Sequence, residues 1–175
     1  TMVYEAHSSD DQTRDALRQM VEDHFCVLKI GPWLTFEFRE AIFALENVER
    51  ELLGKKHGIL LSHLRRVVDD VMMRDPRYWK SYYTGSEAEQ AFDRVYSLSD
   101  RIRYYWQNPE IQTALKRLGA NLSDTAIPLS LISRFFPVQF DAVRDGGLSG
   151  APSDLVYDWI VTVLNKYTYA CKGKE

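Results

Sequence analysis

Glu5 and His7 stand two positions apart in the run Met2-Val3-Tyr4-Glu5-Ala6-His7-Ser8, and Lys29 lies in Cys26-Val27-Leu28-Lys29-Ile30-Gly31-Pro32. Read as strands, such runs send alternate side chains to opposite faces. Glu5, His7 and Val3 then share one face of the first strand, and Lys29 shares a face with Val27 and Gly31 on the second. An acid, an imidazole and an amine around one cavity admit three chemistries. Glu5 and His7 offer two ligands to a divalent metal, a weak signal without a third. Lys29 offers an amine for a Schiff base with a sugar carbonyl. Lys29, the Gly31 backbone and a helix start at Thr35 offer a phosphate site, because helix N-termini attract anions. A Gly-Pro strand end followed by a helix start suits phosphate best. Against all three stands a plain internal ion pair between Glu5 and Lys29.

A second group lies in Tyr96-Ser97-Leu98-Ser99-Asp100-Arg101-Ile102-Arg103-Tyr104-Tyr105-Trp106. Arg101 or Arg103 can reach a phosphate, with the aromatics as a lid or interface. The structural alternative is an amphipathic helix to Trp106, capped by a box at Ser97–Asp100, whose aromatics anchor a helical core. Both readings stand for the two arginines. No residue is assigned a catalytic role. Gly54-Lys55-Lys56-His57-Gly58 is too short and too charged for a phosphate-cradling loop, and no G-x-G-x-x-G run occurs. His24, His57 and His63 show no ligand spacing and read as loop or surface residues.

The elements around these residues form a strand–helix–strand unit followed by a second helix. The first helix is expected over Asp10–Phe25 with Ser9 or Asp10 as N-cap. The second is expected from Thr35 to Leu53. Such crossovers give parallel strands, and in α/β barrels the strands' C-terminal ends carry the chemistry. Two parallel strands need neighbours. Their partners are expected in another chain or in a part of the protein outside these residues, all the more because Thr1-Met2 enters a strand at once. After Gly58 every segment reads as helix: Ile59–Arg74, Pro76–Tyr83, Ser86–Val95, Asn108-Pro109 to Gly119, a Pro128 helix interrupted at Pro137, and Pro152–Ala170. The expected fold is mainly α with a short parallel β-α-β segment. Residues 1–54 are read as the last two βα units of a TIM-type barrel, and residues 55–175 as a C-terminal helical domain.

The chain has 175 residues and a net charge of −3, which argues against a nucleic-acid footprint. No apolar run approaches the ~20 residues that span a bilayer. Cys26 and Cys171 are expected as free thiols in a reducing cytoplasm.

Several strings resemble one family: Met2 to Ser8, Leu28 to Pro32 with Arg39-Glu40-Ala41-Ile42-Phe43-Ala44-Leu45, Tyr96 to Trp106, Ile127-Pro128-Leu129-Ser130-Leu131-Ile132-Ser133, and the ending around Tyr167 and Cys171. They resemble the non-catalytic subunit of class II D-tagatose-bisphosphate aldolase, a family once labelled tagatose-6-phosphate kinase. The resemblance implies a TIM-barrel-like body followed by a helical region. It implies support of a catalytic aldolase subunit in galactitol and N-acetylgalactosamine catabolism, within an oligomer. It places any divalent metal, zinc, in that partner aldolase, with no cofactor in this segment.

Overall fold

The computed structural model describes residues 2–7 and 9–172. Thr1 and Ser8, part of the expected first strand and its polar end, lie outside the described residues. In chain order the elements are β1 (Tyr4–Ala6), α1 (Arg14–Glu22), β2 (Phe25–Leu28), α2 (Trp33–Leu53), α3 (Leu64–Arg74), α4 (Glu87–Tyr96), α5 (Pro109–Ser123), α6 (Leu129–Phe135), α7 (Phe140–Arg144) and α8 (Pro152–Cys171). Two 3-10 turns, Pro76–Tyr78 and Ile102–Tyr104, flank α4. The fold is therefore mainly helical with a small parallel sheet, as the sequence predicts.

β1 and β2 pair in parallel, with Glu5 opposite Val27 and Ala6 opposite Leu28. The pairing continues past the strands, where the Lys29 N–H donates to the Ala6 carbonyl at 2.9 Å. The sheet is bare: Tyr4 is 58% exposed and Val27 is 41% exposed. Among the described residues no third strand joins it.

Two apolar clusters hold the molecule together. Leu17 of α1, Trp33 of α2 and Val163, Tyr167 and Ala170 of α8 form the smaller, with Leu28 and Ile30 against it. The larger gathers α2 from Ala41 onward with residues of α3, α5, α6 and the start of α8. α2 and α8 thus serve both clusters. From Ala41 to Leu45 every α2 residue is buried, the pattern of a helix packed on all sides.

Four local expectations are corrected. α1 begins at Arg14, with Thr13 as N-cap accepting from the Ala16 N–H, because Ser9 and Asp10 are engaged elsewhere. The segment from Ile59 to His63 is not helical. The buried Glu49 carboxylate takes the Ser62 N–H at 3.0 Å and the Ser62 hydroxyl, and His63 then turns through φ 47° into α3. The string from Ser97 to Trp106 is no α-helix and Ser97–Asp100 is no capping box. Arg39 draws the Ser97 carbonyl and the Asp100 carboxylate inward, leaving only the turn Ile102–Tyr104. The capping box sits instead at α4, where Ser86 and Glu89 satisfy each other's backbone. The turn after α3 is also shorter than expected, ending at Tyr78 rather than Tyr83.

Candidate functional site

Parallel pairing puts Glu5, His7 and Lys29 together at the C-terminal ends of β1 and β2. Glu5 Oε1 accepts from both neighbours: His7 Nε2 lies 2.8 Å away, and Lys29 Nζ closes an ion pair on the same oxygen. The hydrogen bond from Lys29 is the main cause holding the Glu5 carboxyl below its ordinary range, with His7 adding to it. All three side chains are substantially exposed, at 36% for Glu5, 53% for Lys29 and 70% for His7. The group reaches outward from the sheet and is not enclosed.

The expected anion site behind it is already filled from within. Asp10 Oδ1 accepts the Gly31 N–H at 2.8 Å and the Trp33 N–H at 3.0 Å. The Gly31 N–H is a donor that the sequence reading offers to a phosphate, and the Trp33 N–H opens α2 two residues before the expected start at Thr35. Asp10 is the anion the helix terminus attracts. The approach is close: a Cβ at Gly31 would lie 2.7 Å from Asp10 Oδ2. The Thr35 hydroxyl is likewise committed, donating to the Pro32 carbonyl at 2.8 Å. Asp10 is the residue that sequence reasoning missed. Its acceptors' partners lie 21 and 23 residues away, so no local spacing signals the contact.

The floor of this end is tied to α8. Ser9 Oγ donates to the Lys29 carbonyl at 2.9 Å, and Tyr167 Oη donates to the Ser9 carbonyl at 2.9 Å. The Tyr167 phenol is pushed up, foremost by burial. Glu37 accepts both indole N–H groups nearby, Trp33 at 3.0 Å and Trp159 at 2.7 Å. Burial, then Asp10 and Glu37, raise the Asp11 carboxyl.

Arg101 and Arg103 are not brought to this group. Their partners lie in the helical region: Arg101 stacks on Tyr82 and donates to Ser99 Oγ, and Arg103 donates to Tyr104 Oη at 2.7 Å. A metal does not fit the strand-end donors. Glu5 and His7 offer two ligands, Lys29 occupies the shared carboxylate oxygen, and among the described residues no group of three or more His, Cys, Asp or Glu converges. Cys26 and Cys171 are free and exposed. No helix of the described residues is long and apolar enough to cross a membrane.

Comparison with known proteins matches this architecture. The solved structure of a probable tagatose 6 phosphate kinase from Sinorhizobium meliloti superposes with a TM-score of 0.90 at 41% identity, covering 97% of this chain and 43% of that one. Proteins named D-tagatose-1,6-bisphosphate aldolase subunit GatZ from Salmonella paratyphi B and Salmonella newport are each 48% identical over 170 residues. That alignment takes in 97% of this chain and 40% of theirs, so the chain spans about two fifths of the length of these relatives. The family model described as D-tagatose-1,6-bisphosphate aldolase subunit GatZ/KbaZ-like matches residues 1–172, and the chain belongs to that family.

Proposed function

We propose that this chain is the C-terminal region of a non-catalytic subunit that supports the activity and stability of a class II D-tagatose-bisphosphate aldolase in galactitol and N-acetylgalactosamine catabolism, in the cytoplasm. Residues 1–54 supply the closing βα units of a TIM-type barrel, and residues 55–175 form a helical region clasped to them through α8. The observation that carries this reading is the bare parallel sheet with its polar group at the strand ends. A two-stranded parallel sheet is marginal alone, and its apolar residues call for further strands. The relatives' greater length has room for those strands. Glu5, His7 and Lys29 then line the mouth of the barrel, where Lys29 and His7 face a sugar phosphate. Gly31 and Thr35 shape the loop beneath, with Asp10 supplying the charge at the α2 terminus.

The test uses the full-length protein with and without its catalytic companion, assayed for tagatose bisphosphate cleavage. The expected result is no cleavage alone, and higher activity and longer half-life for the companion in the mixture. Cleavage by the full-length protein alone overturns the reading. A second reading is favoured by the name of the Sinorhizobium neighbour: a sugar-phosphate enzyme in its own right. ATP turnover dependent on tagatose 6-phosphate would establish it.

A further inference from the structure

The two 3-10 turns on either side of α4 build a surface of arginines laid on tyrosine rings. The Arg77 guanidinium lies 5.3 Å from the Tyr78 ring centre. Tyr78 stacks on Tyr104 with centroids 5.0 Å apart and planes 21° from parallel. Arg103 covers Tyr104 at 4.7 Å, and Arg101 lies 3.3 Å over Tyr82. The three tyrosines remain open to solvent, at 38% for Tyr78, 46% for Tyr104 and 57% for Tyr82.

The charges on this surface are unequal. Asp75 neutralises Arg77 through a two-pronged contact at 2.7 and 2.6 Å. Arg101 and Arg103 form no ion pair with a carboxylate among the described residues. Asp100, the nearest acid in sequence, is turned inward to Arg39. The two guanidiniums also pull the Tyr104 phenol below its ordinary range, Arg103 foremost through its hydrogen bond. A chain of net charge −3 therefore carries a local excess of positive charge here.

We propose that Arg101 and Arg103, framed by Tyr78, Tyr82 and Tyr104, dock an acidic face of the companion aldolase subunit. The proposal rests on the subunit reading given above and names the surface that reading lacks. Arginine and tyrosine are the side chains that dominate protein–protein contacts, where carboxylates on the partner complete them. Stacking on a ring holds each guanidinium in place before the partner arrives, which lowers the ordering cost of association. Shape favours a protein over a small phosphorylated ligand. The three tyrosines stand about half-exposed with the two arginines partly exposed among them, whereas a small ligand needs a concavity that covers most of its surface.

The experiment measures binding of the purified companion to the full-length protein by biolayer interferometry at several salt concentrations. The variant is Arg101→Gln with Arg103→Gln, and circular dichroism and Tm report its folding. Binding is expected to weaken at least about tenfold, with a shallower dependence on salt. Because Arg101 Nε is buried, Arg103→Glu alone serves if the double variant does not fold, with the same expected direction. Unchanged affinity in a folded variant overturns the proposal. So does a titration in which wild type binds inorganic phosphate, the variant does not, and companion binding is equal in both. If wild type binds no companion at all, the subunit reading itself falls and takes this surface with it.

Discussion

Two charged groups in this molecule use the same chemistry in opposite settings. At the strand ends, Glu5, His7 and Lys29 stand half in water around one carboxylate oxygen. Where α2 meets the helical region, Arg39 and Asp100 are 1% and 2% exposed. Arg39 donates to Glu40 Oε1 at 2.9 and 3.1 Å, to the Ser97 carbonyl at 2.9 Å and to Asp100 Oδ1 at 3.3 Å, and its flat face lies over the Phe36 ring. Every donor there has a partner, because a buried unpaired charge is costly. The strand-end group bears no such constraint. The contrast separates a charged pair enclosed by the chain's own residues, with only Asp100 Oδ2 left unpartnered, from a polar group standing at the open end of a bare sheet.

Removing a buried partner should be the most damaging change. Arg39→Ala leaves Asp100 and the Ser97 carbonyl without their donor, and urea unfolding should show a loss of about 3–5 kcal/mol. Burial, the largest influence on Asp100, already raises its carboxyl above the ordinary range, with Arg39 opposing. Without Arg39 it rises further. A carboxyl raised on folding favours the folded state when protonated and loses that advantage as pH climbs through its folded value. The deficit of Arg39→Ala should therefore shrink as pH falls through the variant's raised value toward that of the wild type. A deficit flat with pH would mean that Asp100 is not the stranded group.

Next in size is Glu49→Ala. It unpairs the buried Ser62 N–H and removes one of the two acceptors of the Asn121 amide, which donates to Glu49 at 2.6 Å and to the Leu60 carbonyl at 3.0 Å. The expected cost is about 1–3 kcal/mol, with faster amide exchange across residues 59–63. Protection unchanged in that segment would show that something other than Glu49 pins it.

The smallest structural effect belongs to the strand ends. In the full-length protein, Lys29→Ala should leave Tm nearly unchanged, since exposed ion pairs contribute little. Sugar-phosphate binding, read by calorimetry, should weaken. Equal binding would reduce the group to an ion pair in the wall and sharpen the contrast with Arg39.

How much of this was legible in the residues follows from range. The parallel pair, α2, the Asn108-Pro109 start of α5 and the Pro152 start of α8 are written in local periodicity and punctuation, and the structure has them. Glu5, His7 and Lys29 converge because alternation along two strands is also a local rule. The misses share one cause. Asp10 at the α2 terminus, Glu49 on Ser62 and Arg39 on Ser97 are side-chain-to-backbone contacts across 13 to 58 residues, and Arg39 on Asp100 is a side-chain pair across 61. Each overrides a local signal that reads correctly in isolation, as Ser97–Asp100 does for a helix start. The bare sheet was legible as an absence, since nothing after Gly58 alternates like a strand.

The bond between Tyr167 and Ser9 joins residues 158 positions apart, and α8 is the main cover of α1. A ribosome delivers α1 long before α8. For most of the time the intervening segment is being translated, Leu17 has Trp33, Leu28 and Ile30 beside it but lacks Val163, Tyr167 and Ala170 of α8, so its cluster stays half built. Maturation of the strand-end region is thereby timed by the arrival of the last helix. A stop codon placed just before Pro152 would harm the opening βα segment more than the helices in between.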